Sequence, residues 1–516
     1  MQLRRAGMSL DGGLYGRTLA AGGLFISVFA IVALTGPGRI DIVDGQTRYE
    51  VARSLVDHGD DVIRDEHVWF GRFPGRGGLD YTTYRFPQSV LGIPFIVLSD
   101  LTGSRNEARR HFFFSLTGAA AAATLAIIYW GWFVRRGLGV PAALGWAAAG
   151  IFCLPSWFYA TSTFDDILGS LAVVAALVCA GPSTARALGA GLLVGLAFNC
   201  KQPLGVFALP VLAAISEPGP RQRQWAHWVF ALSGVAAGVV VHVAYDAYKF
   251  PPGLEAARAL LQRRYISPWP GKPFASMAVL ALSPAAGVLW YCPPVILAAA
   301  GVRYAPAWHR KALMTAVGAF VMFISSMTIF KGDPAWGPRY LTPLFAAVWL
   351  YAPEGSTRFP KRVSLALLAA GVLVQVLALS VDPHRLYVER SLPSAFGAIA
   401  PVLYFDPRNA HLPNRPREIV EIWEARHDYP PEFSPAPSPT FAFPVLDFVP
   451  GGQATIRRFK ILNTFRPWWA SQIYLPRRAR PVSLAGAAAV QLGLLGLGGI
   501  MLFRAQSSSA RRRASG

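Results

Sequence analysis

The stretch Asp41–Gln88, DIVDGQTRYEVARSLVDHGDDVIRDEHVWFGRFPGRGGLDYTTYRFPQ, follows the first apolar run of the chain. It is by far the most acidic part of a basic, apolar sequence: Asp41, Asp44, Glu50, Asp57, Asp60, Asp61, Asp65, Glu66 and Asp80 all fall in it. Carboxylates beside a membrane span are costly to desolvate, so a cluster of them marks a wet site facing one side of the bilayer. Most of these acids read simply as a solvated loop. Asp44 stands apart, for reasons supplied by the rest of the chain.

Of the 516 residues, 53% are hydrophobic and only 15% charged, and the mean hydropathy is +0.36. Ordinary soluble domains carry about 25% charged residues, and here the apolar residues come in repeated long runs. The sequence is that of an all-α polytopic membrane protein. Its formal charge of +21 does not imply nucleic acid, because Lys and Arg sit in short clusters between apolar runs, as the positive-inside bias places them. Cys153, Cys179, Cys200 and Cys292 are scattered singly without metal-ligand spacing and read as small core residues. The run Leu19–Leu34 is long for a cleaved signal and reads as a retained first span.

Apolar segments of roughly spanning length begin near residues 17, 112, 140, 166, 185, 203, 226, 276, 312, 338, 362 and 483. A shorter one, Val90 to Leu101, follows the acidic loop. If it enters the membrane and returns, the clusters Arg135-Arg136, Arg221-Gln-Arg223, His309-Arg310-Lys311, Lys361-Arg362 and Arg511 to Arg513 all fall on the cytoplasmic side. This arrangement gives about 12 transmembrane helices, at the cost of placing Arg105, Arg109 and Arg110 outside. The expected organisation is a transmembrane core over 1–381 with a first external loop over 37–111, an external segment over 382–481, and a last transmembrane helix with a basic cytoplasmic tail over 482–516. In the external segment PEFSPAPSPTFAFP is loop-like and ATIRRFKIL alternates like a short strand. On this topology the acidic loop, Asp165-Asp166, Lys201, Tyr245 to Phe274 and Lys331 to Tyr340 open on one external face, as in a membrane enzyme or a transporter vestibule. No internal repeat is evident, which disfavours transporter folds built from inverted halves.

Four places could carry chemistry. Asp44 opens a helix start and reads as an N-cap, a role compatible with service as a general base. Asp165 and Asp166 stand between the aromatic LPSWFYATSTF and the span ILGSLAVVAALV, as helix-capping acids or as groups that bind sugar hydroxyls. Lys201 follows GLLVGLAFNC, as an interfacial lysine or a cation held for a phosphate. The loop Lys331-Gly-Asp-Pro-Ala-Trp-Gly-Pro-Arg-Tyr340 is the least bland of the chain, with Arg339 able to bind phosphate in bidentate fashion.

Taken in order, the Asp-Gly helix start, Tyr84-Arg85 with QSVLGIPFIVL, the aromatic loop ending in Asp, GLAFNCKQPLGVFALP and GDPAWGPRYLTPLFA resemble the C superfamily of membrane glycosyltransferases. The likeness is nearest to the protein O-mannosyltransferases and the lipid A aminoarabinose transferases, and covers roughly the first two thirds of the chain. The resemblance implies that Asp44 is the catalytic or acceptor-activating aspartate of the first loop, although Gly45 stands where those relatives usually have Glu. Asp166, or Asp165 in its place, would be the second-loop aspartate. Lys201 fits the lysine of their Thr-Lys-Gly-Pro segment, from which Cys200 and Gln202 depart. Arg339 and Tyr340 fit their Arg-Tyr pair near the donor phosphate, and Tyr84, Arg85, Asp165, Asp333 and Trp336 would line the substrate.

The expected activity is inverting transfer of a sugar from a polyprenyl-phosphate donor to a glycan, lipid or protein acceptor, on the external side of the cytoplasmic membrane. Asp44 would act as base, while Lys201 and Arg339 stabilise the departing phosphate. No cofactor is demanded. A divalent metal between Asp44 and Asp166 is the alternative, because the similar oligosaccharyltransferases use one. A polysaccharide or lipid transporter is the competing reading; the enzyme reading needs Asp44, Asp166, Lys201 and Arg339 around one external cavity and fails if Asp44 and Arg339 line separate pockets.

Overall fold

The computed structural model describes residues 11–515 except 67, 69–70, 104, 217–220, 252–271, 328, 333–334, 391–400, 426–463 and 473–483. The loop-like stretch at 431–444 and the strand-like stretch at 454–462 lie outside the described residues, as does Asp333. Among the described residues helix predominates and sheet is nearly absent. One antiparallel ribbon, β1 (Arg72–Pro74) with β2 (Asp80–Thr82), sits in the first loop and pairs Phe73 with Tyr81.

The helices that frame the site are α1 (Asp11–Thr35), α2 (Val43–Asp57), α3 (Pro87–Leu101), α4 (Glu107–Ser115), α5 (Thr117–Arg135), α6 (Val140–Phe152), α7 (Ser156–Thr161), α8 (Asp166–Cys179) and α9 (Thr184–Cys200). They are followed by α10 (Ala208–Ile215), α11 (Arg221–Lys249), α12 (Ala307–Ser325), α13 (Thr342–Trp349), α14 (Lys361–Ser380), α15 (His411–Ala425) and α16 (Leu484–Ser515). Among the described residues five stretches are long and apolar enough to cross a membrane: Gly16–Thr35, Glu107–Arg135, Gln224–Lys249, Lys361–Ser380 and Ala488–Ala505. Several other segments expected as spans fold as apolar helices of 10–17 residues, among them Val140–Phe152, Asp166–Cys179, Thr184–Cys200 and Pro273–Leu282. Proline and glycine break them: Pro155 and Pro203 sit just past the ends of α6 and α9. Helix α3, with Pro94 inside, buries Ser89, Gly92 and Ile96 and leaves Val90, Leu91, Val97 and Leu98 exposed.

Close helix packing does the positioning. Gly191 and Gly195 on α9 and Gly234 and Gly238 on α11 are each four apart and face one another. A side chain at Gly191 would overlap the Ala231 carbonyl, and one at Gly234 would lie 2.6 Å from the Leu192 nitrogen. Small residues at this spacing let two backbones touch along a seam, the usual way helices associate in lipid. Asn199 bridges the seam, its amide donating to the Gly195 and Gly238 carbonyls at 2.9 and 2.8 Å. The C-terminus of α9, and with it Lys201, is thereby fixed.

Cys153, Cys200 and Cys292 are buried core residues as expected, whereas Cys179, at the end of α8, is exposed. Arg105 and Arg110, awkward for the expected topology, are occupied locally by Asp57 and Asp100. The described parts of the segment after α14 pack back onto the core: α15 lies against α14, and Val381 and Phe465 form an antiparallel bridge.

Candidate functional site

Helix α2 starts from Ile42, whose extended backbone (φ −146°, ψ 154°) makes it the N-cap without any side-chain cap bond. Asp44 is therefore not the cap that spacing suggested; it lies inside the first turn, where the helix field still favours a negative charge. Its carboxylate turns to tertiary partners. The Tyr84 hydroxyl donates to Oδ1 at 2.7 Å, and a terminal nitrogen of Arg339 stands 3.6 Å from Oδ2. Burial pushes the Tyr84 phenol well above its ordinary pKa, and the Asp44 charge adds to that, so Tyr84 keeps its proton as a donor.

Asp165 and Asp166 arrive at the same place from the other side of the core. Asp166, the first residue of α8, receives Lys201 Nζ on Oδ1 and Arg339 Nε on Oδ2 at 3.1 Å. Asp165 accepts from Arg48 at 2.9 Å on Oδ2, with Lys201 Nζ 3.8 Å from Oδ1. Burial alone would raise the Asp165 pKa, but Arg48, Lys201 and Arg339 together hold it below the usual carboxylate range. Lys201 is delivered in extended backbone at the end of α9, and Arg339 opens a 3₁₀ turn just after Gly337, whose φ is +57°. Aromatic faces complete the walls: Arg339 lies 3.6 Å over Phe164, Lys201 4.9 Å over Tyr340 and Arg48 4.5 Å over Tyr84.

Three carboxylates and three cations thus alternate in one cluster drawn from α2, the loop before α8, the end of α9 and the loop before α13. Their exposure differs. The Asp44 and Lys201 side chains are each 15% exposed, whereas Asp166 is 0% exposed and can serve only through the cations that it holds. Arg48 keeps a guanidinium nitrogen, and Asp165 an oxygen, without a hydrogen-bond partner. The arrangement offers a carboxylate at the edge of a cluster whose cations could accept an anion, as a group-transfer site with an anionic leaving group requires.

Tyr84, Tyr340 and Asp165 join the cluster as the sequence suggested. Arg85 instead pairs with Asp246 of α11, and Trp336 is buried in a separate aromatic layer, against Tyr291 at 5.2 Å and His411 at 5.7 Å, with Arg415 over its face. Residues that sequence reading missed are Arg48, Phe164, Asp41 and Arg466. Arg48 had a signal, since it lies four residues after Asp44 on the same helix face; Asp41 and Arg466, 425 positions apart, had none. Gly45 also acquires a reason: a side chain there would overlap Thr163, so the Glu usual in the resembled families has no room. Among the described residues no group of three or more His, Cys, Asp or Glu is arranged to hold a metal ion, and Asp44 and Asp166 face cations instead.

No protein-family model matches the chain, and no curated protein matches it. Among solved structures it is similar to ArnT from Cupriavidus metallidurans bound to undecaprenyl phosphate, with 15% identity and a TM-score of 0.45, and to the same protein in the apo state, with 14% and 0.44. Each likeness covers 95% of this chain and 77% of the other. Likenesses this distant leave the functional reading to rest on the residues of the site.

Proposed function

We propose that this chain is a multi-pass membrane glycosyltransferase that moves a sugar from a polyprenyl-phosphate donor to a glycan, lipid or protein acceptor at the external face of the cytoplasmic membrane. The observation that carries it is the meeting of Asp44 and Arg339 at 3.6 Å, with Asp166 and Lys201 in the same cluster. The acceptor oxygen attacks the anomeric carbon from the side opposite the phosphate, its proton passes to Asp44, and the carbon–oxygen bond to the phosphate breaks with inversion. Arg339 and Lys201 take the charge of the departing polyprenyl phosphate, and Asp166 keeps both in register. Tyr84 holds one Asp44 oxygen, and the other, 3.6 Å from Arg339, takes the acceptor proton. The two cations neutralise the phosphate charge that a metal would otherwise neutralise. About twelve crossings, counting the short apolar helices, would set the cluster at the external face among membrane lipids.

Transfer from radiolabelled polyprenyl-phosphate sugar in membranes tests this, with wild type against Asp44→Asn. The expected result is activity in wild type and a loss of at least about 10²-fold in kcat in the folded variant. Equal activity in both would remove Asp44 from the reaction. Absence of transfer with every donor, together with flux of a labelled lipid across the bilayer, would make the chain a transporter.

A further inference from the structure

The segment after α14 places Arg466 in the heart of the molecule. Arg466, 1% exposed, donates one terminal nitrogen to Asp41 Oδ2 at 2.9 Å and the other to the Thr161 hydroxyl at 2.7 Å, with its guanidinium 4.5 Å over Phe158. The other Asp41 oxygen accepts from the Thr163 amide and hydroxyl, both at 2.9 Å, and from Ser162 at 3.1 Å. Asp41 stands three residues before Asp44, and Thr163 three before Asp166. One buried carboxylate therefore ties the entry of α2 to the loop that delivers Asp165 and Asp166. Arg466 is itself anchored: its amide donates to Ser380 at 2.9 Å, Phe465 bridges Val381, and Trp468 reaches the Gly36 and Ala33 carbonyls at 2.9 and 3.1 Å.

We infer that Asp41 and Arg466 form a clasp that sets the position of Asp44 relative to Asp166, so that the C-terminal segment helps build the site. Arg466 is a positioning residue. It touches none of the six charged groups of the cluster in the bonds described, yet it joins both backbones that carry the carboxylates. The catalytic half of this inference rests on the proposed transferase reading; the geometric half does not. Losing one partner of a buried pair leaves the other charge uncompensated, and both segments then relax apart. A displacement of about 1 Å at reacting groups costs on the order of 10²-fold in rate.

The test uses the full chain in lipid nanodiscs, as wild type, Arg466→Gln, Asp41→Asn, their double variant, Arg466→Lys, and Arg408→Gln as a control on an exposed pair of the same segment. Expected are a kcat about 10²-fold lower in both single variants with donor KM little changed. The double variant should be no worse than the worse single, Arg466→Lys partly restored, and the control like wild type. Unchanged kcat in folded Arg466→Gln, or an equal fall in the control, would overturn the clasp. Hydrogen–deuterium exchange of peptides over 36–50 and 158–168 reads the clasp without activity. If wild type transfers no sugar, faster exchange of both peptides in both single variants sustains the clasp while the transferase reading falls, and unchanged exchange overturns it.

Discussion

Arg110 and Arg339 are both buried arginines that each meet two carboxylates, and they do opposite things with them. Arg110 closes two forks, on Asp57 at 2.8 and 2.9 Å and on Asp100 at 2.8 and 2.6 Å. Four of its five donors are bound to carboxylates, and the result ties the end of α2 to the end of α3. Arg339 makes one hydrogen bond to Asp166 at 3.1 Å, a looser approach to Asp44 at 3.6 Å and a long contact to the Gly332 carbonyl at 3.5 Å. Around it Arg48 and Asp165 keep polar atoms unmatched. Arg110 holds two helix ends together through four bonds to carboxylates, whereas the cluster around Arg339 keeps polar atoms without partners.

Substituting each arginine puts that contrast to the test. Arg339→Lys, which keeps the charge but loses the planar fork, should lower kcat by about 10²–10³-fold with little change in unfolding midpoint. Arg110→Met should do the reverse, costing roughly 3–5 kcal/mol of stability while the surviving folded protein turns over normally. If both variants lost stability alone, the distinction between the clusters would collapse. A smaller effect is expected from Gly45→Ala, whose methyl meets Thr163: overpacking there should cost about 1–3 kcal/mol and lower kcat together, read by thermal unfolding and the transfer assay.

The smallest effect concerns pH. Glu50, on the buried face of α2, has its pKa raised to about 8 by burial, opposed by Arg53 and Gln46 and assisted by Asp65 and Glu107. In the folded state it keeps a proton that the unfolded chain releases near 4.5, so its contribution to stability falls as pH rises from about 4.5 to 8. Glu50→Gln should therefore match wild type at pH 4 and gain in melting temperature progressively up to pH 8, with no further gain above it. A constant difference across that range would show that Glu50 is charged throughout.

Much of the site was legible before folding. Asp44, Asp166, Lys201, Arg339 and Tyr340 are charged or polar residues at the edges of apolar runs, where their cost is high enough to demand a reason. Arg48 was available from helical spacing. The Trp336 and Arg85 assignments went elsewhere because a loop rich in aromatic and basic residues does not state which side chain faces the cluster. Trp336, the larger apolar surface, was drawn into the aromatic layer, while Arg339 was drawn to the carboxylates.

Hydrophobic runs and charge placement are local properties with large free energies attached, so helices, long apolar segments and an acidic first loop could be read from the sequence alone. Only tertiary structure decided which acid meets which cation, why Gly45 has no side chain, and that Arg466 reaches Asp41. Those outcomes depend on contacts of a few ångströms between segments hundreds of residues apart, and nothing in local pattern encodes such a distance.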